Sequence, residues 1–212
     1  VTAILPLNVS DRLHPRHCVC ELFCAARIGL CIYDGLHEIA RLYTVTLTDP
    51  FYLMHRSFET DEGLGGTGKC VSVQLSTADE GTKTAKSIMM YLDAKTNSLI
   101  KNTVCVTMDR SAVDTIKIGN ADNCDQDTTQ VRFIYSNYGT CDVTVVSGTD
   151  ESKCELWVKE GYQELPEVAS REDASAKTNI AKCKEVYNKQ CPGKQYQIYD
   201  KETCGSLAKE SN

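Results

Sequence analysis

Long apolar runs are missing from this chain. No stretch of about 18 apolar residues occurs, so no bilayer-spanning helix is expected. Clustered basic charge is missing as well. Lys plus Arg number 23 against 29 Asp plus Glu, for a net charge of -6. Nucleic acid and anionic membranes both reward clustered Lys and Arg, so neither is an expected partner. No paired CxxC…CxxC exists; Cys18 and Cys20, with Cys24 and Cys31, come nearest to a metal pattern but lack a second pair, and no metal is expected. The sequence also lacks a GxSxG elbow, and its His residues, His14, His17, His37 and His55, all lie towards the N-terminus. An enzyme is not expected, and neither is a cofactor.

Cysteine, by contrast, is abundant, with 12 in 212 residues. Cys70, Cys105, Cys124, Cys141, Cys154, Cys183, Cys191 and Cys204 are scattered singly. Widely spaced, even-numbered cysteines without metal doublets indicate a disulfide framework and an oxidising compartment outside the cytosol. Such a framework favours staples over reactive thiolates. The length fits one domain with a sizeable core.

From Phe51 the chain reads as strands. Residues 51–58, 71–76, 86–94, 98–108, 113–118, 130–135, 142–146 and 154–158 alternate or are rich in β-formers, and turn-formers separate them. Eight short antiparallel strands in a meander close naturally into a barrel, which removes exposed edges. A barrel of that size holds about one small ligand. Residues 174–190 switch to helical spacing, with Ile180, Cys183, Val186 and Tyr187 on one face, and Pro192-Gly193 stop the helix. Tyr196 to Tyr199 reads as a short strand, and 34–43 as a short helix. The predicted fold is all-β with a flanking C-terminal helix: an eight-stranded antiparallel barrel, stapled by disulfides.

Gly63 to Lys69 satisfies GxxxxGK, the phosphate-cradling pattern. That chemistry needs Ser or Thr next and a helix after it. Cys70 and an alternating strand follow, so the loop is expected to join two strands. Glu155 and Trp157, the only Trp, share strand parity and so point the same way. Inward, they offer an anion and an aromatic wall to a protonated amine. Outward, they are a solvated Glu beside a Trp packed under the helix. Asp61 and Asp142 are further candidate acids, and each alone also fits a turn or rim residue. Asn8-Val9-Ser10 is the one allowed glycosylation sequon.

These residues carry a resemblance. Phe51 to Phe58, Asp61, the Gly-rich turn and Lys69-Cys70-Val71 resemble the first two strands of tick salivary lipocalins of the histamine-binding type. Tyr135-Ser136, Gly139 to Val143 and the CELWV block at 154–158 resemble the late strands, and Cys183, Cys191 and Cys204 resemble the tail. The resemblance covers about residues 40–205. It divides the chain into 1–35, an atypical segment either foreign to the mature protein or disordered, 36–205, the lipocalin domain, and 206–212, a tail. The first residue is Val1, and the apolar stretch 18–33, broken by Glu21 and Arg27, makes a poor signal peptide.

The resemblance implies a secreted, extracellular monomer that sequesters a small-molecule host mediator: a biogenic amine such as histamine or serotonin, or alternatively a lipid such as a leukotriene or fatty acid. A protein–protein inhibitor of host defence with a vestigial pocket is a further alternative. It implies the pairings Cys70–Cys204 and Cys141–Cys183. Cys154–Cys191 is expected beside them, and Cys105 and Cys124 could join neighbouring strands, although spacing alone does not fix connectivity. No pairing is implied for Cys18, Cys20, Cys24 and Cys31. Each bridge would add about 2–4 kcal/mol. The resemblance places Phe58, Asp61, Glu155 and Trp157 among the ligand contacts, and Asp142 at an acid of a second site. Phe58 stands in place of a tyrosine and Leu64 in place of an aromatic. Thr129 falls near a pocket phenylalanine. No acid stands near Lys101, where the family has a carboxylate. High-affinity histamine binding and a pair of amine sites are therefore not expected.

Overall fold

The computed structural model describes residues 49–210, apart from 80, 110, 113, 127, 138, 148–152 and 166–170. The proposed helix at 34–43, the sequon at Asn8, and Cys18, Cys20, Cys24 and Cys31 lie outside the described residues.

Eight strands follow one another along the chain: β1 Phe51–Arg56, β2 Lys69–Asp79, β3 Thr84–Leu92, β4 Leu99–Met108, β5 Thr115–Asn120, β6 Thr129–Ser136, β7 Cys141–Ser147 and β8 Lys153–Lys159. Each pairs antiparallel with the next, β8 pairs with β1, and β1 pairs with β2, so the ring closes. A short β9, Tyr196–Gln197, adds to the outside of β1. Closure leaves no long unpaired edge within the ring. The alternation in the sequence works because each strand has one face towards the barrel interior.

Helix α1, Arg171–Gln190, packs on the outside of β7 and β8. Its buried stripe is Ala176, Ile180, Cys183 and Tyr187, spaced as one helical face. Ile180, Cys183 and Tyr187 meet Cys141, Val143, Cys154, Leu156 and Val158 on the outward face of the two strands. Val186, expected in the stripe, is half-buried at its margin. A second helix, α2 (Lys201–Glu210), occupies most of the segment expected to be a tail. Its start is written in the sequence: Asp200 Oδ1 accepts from the Thr203 backbone N–H at 2.8 Å, an N-cap bond.

The four disulfides are Cys70–Cys204, Cys105–Cys124, Cys141–Cys183 and Cys154–Cys191. Two of them tie α1 and its end to β7 and β8, and one ties α2 to β2.

The Gly-rich segment joins β1 to β2 through a single 3-10 turn, Glu62–Leu64. A strand begins at Lys69, and Lys69 Nζ bonds Asp200 at 2.9 Å. The loop is a strand connection, with no helix N-terminus behind it.

Candidate functional site

The barrel encloses a cavity of about 760 Å³. Most of its wall is apolar. Val104, Val106, Ile116, Ile118, Val131 and Phe133 line it from β4, β5 and β6. Three of its acids, Asp142, Glu155 and Asp61, come from β7, β8 and the loop after β1, and a fourth, Asp114, from the turn before β5.

Parity decides the ambiguous strand. Cys154, Leu156 and Val158 face outward into the core under α1, so Glu155 and Trp157 face inward and line the cavity. Both are buried, at 4 % and 8 % exposure. On β7 Asp142, Thr144 and Val146 face inward. Asp142 stands opposite Trp157, and Thr144 stands opposite Glu155. Diagonal neighbours on such a face lie roughly 7–8 Å apart, so the acids Asp142 and Glu155 share one small patch.

That patch is tightly bonded. Thr144 Oγ1 donates to Glu155 Oε2 at 3.0 Å, and Trp157 Nε1–H donates to the same oxygen at 3.1 Å. The indole N–H also lies 3.2 Å from Thr144 Oγ1. Burial pushes the Glu155 carboxyl up to about 7, with the Asp61 charge adding to the rise. The two hydrogen bonds and Arg56 pull in the other direction. Burial likewise raises Asp142 to about 6, against a hydrogen bond from Ser136.

Arg56 is the buried cation of this region, at 0 % exposure. The register of β1 against β8 shifts between Leu53 and His55, and that bulge sets Arg56 opposite Glu155. Its guanidinium does not pair directly with a carboxylate. Nη2 donates to the backbone oxygens of Glu59 at 2.6 Å and Gly66 at 2.8 Å. Arg56 thus ties down the loop that carries Asp61. Asp61 bridges Gly66, accepts from the Gly63 N–H at 2.9 Å, and lines the cavity.

Four of the five expected contacts, Asp61, Asp142, Glu155 and Trp157, therefore line one cavity. Phe58 is not among the lining residues. Strand β1 ends at Arg56, and the Phe58 ring lies 5.2 Å from the charged groups of both Arg56 and Lys153. Leu64 and Thr129 line the cavity, and Phe133, on the same inward face of β6 as Thr129, is an aromatic in that wall. Lys101 is exposed, outside it.

Residues 36–206 match the family model described as tick histamine-binding protein. The chain belongs to that family. No curated protein matches the sequence at a significant level. Among solved structures the barrel is similar to lobster apocrustacyanin A1, at 10 % identity over 84 % of this chain and 92 % of that one, with a TM-score of 0.55. It is also similar to H1 crustacyanin from the lobster Homarus americanus, at 8 % identity over 82 % and 91 %, with a TM-score of 0.53. At these identities the likeness is one of fold, the lipocalin barrel. Family and fold are those of small-ligand-binding lipocalins.

In this lipocalin the sequence reading missed Thr144, Ser136 and Arg56. The only signal for Thr144 was its parity with Asp142, which needs the strand's facing to be known first. Arg56 had no local signal, because a bulge between strands set its direction.

Proposed function

We propose that this lipocalin sequesters a small cationic mediator, a biogenic amine with an aromatic or apolar body, by stoichiometric binding inside its barrel. The observation that carries the reading is Glu155: buried, inward, held by Thr144 and Trp157 through one oxygen, with Asp61 and Asp142 lining the same cavity. A protonated amine would stabilise the charged form of a carboxyl that burial makes reluctant to ionise. Trp157 supplies a π-face for the cation, and the wall from β4 to β6 takes the ring.

A lipid mediator is the second reading, and the apolar wall and the 760 Å³ volume favour it. Against a fatty-acid or leukotriene carboxylate stand four acids among the described residues lining the cavity, Asp61, Asp114, Asp142 and Glu155, against the single cation Lys153. A protein-inhibitor role finds less support. Among the described residues Leu99 is the one exposed large hydrophobic, so the outside offers no apolar patch for a partner. The same surface favours a monomer. Four disulfides support action in an oxidising, extracellular fluid, in keeping with secretion to suppress host inflammation.

The test is calorimetric titration of the disulfide-bonded protein with histamine, serotonin and a leukotriene. The amine reading expects heat with an amine and a loss of about 100-fold in Glu155→Gln, as for an unpaired buried charge. Leukotriene binding that is indifferent to that change would overturn it in favour of the lipid.

A further inference from the structure

The cavity wall remote from the acid patch holds a polar group that the fold does not use. Ser87 on β3 lines the cavity and is 1 % exposed, and its hydroxyl has no hydrogen-bond partner. Its surroundings are apolar. Leu75 and Val104 are its cross-strand neighbours, and Ala85 and Met89 flank it on the same face. A lone hydroxyl in such a wall costs free energy that alanine would not. The pairing of β3 gives no reason for a serine there, since its ladder bonds are backbone bonds.

Round the closed ring, β3 stands four strands from β7 in either direction. Ser87 therefore belongs to the wall across the barrel from Asp142 and Thr144. An eight-stranded barrel is about one small ligand wide. A molecule seated on Glu155 by its ammonium reaches towards β3 with its other end.

We propose that Ser87 is a specificity residue, hydrogen-bonding a polar group at the end of the ligand remote from its ammonium, so that an arylalkylamine with a ring hydroxyl is preferred over the same amine without one. This rests on the amine reading above and narrows it. A bare ring would cover the Ser87 hydroxyl and leave it unpaired, whereas a ring hydroxyl would satisfy it. Sites built to bond a hydroxyl discriminate by that penalty.

Serotonin and tryptamine differ by that one hydroxyl and are the probes. Each is titrated against the wild-type protein and Ser87→Ala, with the unliganded melting temperature of both proteins measured alongside. The wild type is expected to prefer serotonin by about ten-fold. In Ser87→Ala the preference shrinks to about two-fold or less, and the unliganded variant melts no lower than the wild type. Equal affinity for the two amines in the wild type overturns this inference alone and leaves the amine reading standing. A serotonin preference that survives Ser87→Ala, or a variant that melts several degrees lower, also overturns it, because the hydroxyl then serves elsewhere. If neither serotonin nor tryptamine binds, this inference falls, and histamine in the titration above then decides separately whether the amine reading stands.

Discussion

A carboxyl held near pH 7 by burial is an unstable guest in an empty barrel. Glu155 titrates at about 7 in the fold against an ordinary value of 4.5. The folded state therefore binds its proton more tightly than the unfolded chain does. Its contribution to stability is full below pH 4.5 and is lost as pH rises through 7. The difference is on the order of 3 kcal/mol. Asp142 runs in the same direction, with its loss complete above about 6. Glu155→Gln should therefore leave the unliganded protein at least as stable at pH 8 as the wild type, and thermal melts of the two across pH 5–8 should diverge as pH rises. Amine affinity should move the other way. It should rise with pH over the same window as the two acids ionise, and calorimetry at pH 5 and pH 8 would read it directly. Trp157→Phe keeps an aromatic face and removes the N–H donated to Glu155, so it should raise the Glu155 carboxyl further and weaken amine binding by about ten-fold at pH 7.

At the scale of elements, the site depends on how the strands and the first loop are pinned. Gly68 closes that loop against β3. A Cβ built there would lie 2.3 Å from the Leu92 carbonyl oxygen, a backbone atom with no room to yield. Gly68→Ala should cost roughly 1–3 kcal/mol, as overpacking does, and urea unfolding would measure it. The helix α1 is held by Cys141–Cys183 and by the bond from Cys154 to Cys191 just past its end. Replacing Cys154 and Cys191 together by Ala should cost about 2–4 kcal/mol. Each side of β8 is covered differently, by the helix outside and by the cavity inside. Helix α2 was missed because it is only ten residues long and carries Gly205 in its interior, although Asp200 with Thr203 three residues on is a legible start. Strand β1 ends earlier than its apolar sequence suggests, because the bulge turns Arg56 inward to bond the loop.

For the whole molecule, eight alternating strands, even cysteines and a helical tail fit a closed barrel around a ligand-sized cavity. A ligand that binds only the folded state stabilises it by about 2.7 kcal/mol at a hundred times its dissociation constant. Amine at that concentration should accordingly raise the melting temperature of the wild type by several degrees and that of Glu155→Gln, with its hundred-fold weaker binding, by about a sixth as much. A thermal scan with and without ligand would check it.

The strands and the α1 stripe were legible because each is a local pattern, a period of two or of about 3.6 residues set by backbone geometry. The presence of a disulfide framework was legible too, since cysteine count and spacing report the redox compartment. From the strand pattern alone the facing of Glu155 and Trp157 was not, although the family resemblance placed both among the ligand contacts. All five residues from Cys154 to Val158 are buried, so burial alone assigns no side, and in the structure the packing of α1 on the even-numbered positions Cys154, Leu156 and Val158 leaves the other two inward. The company that Glu155 keeps, Thr144 eleven residues earlier and Asp61 across a loop, is non-local in the same way. The sequence by itself determined that this chain would be a stapled barrel. Ring closure, strand register and a bulge decided which polar groups meet inside it, because those are properties of contacts between distant segments.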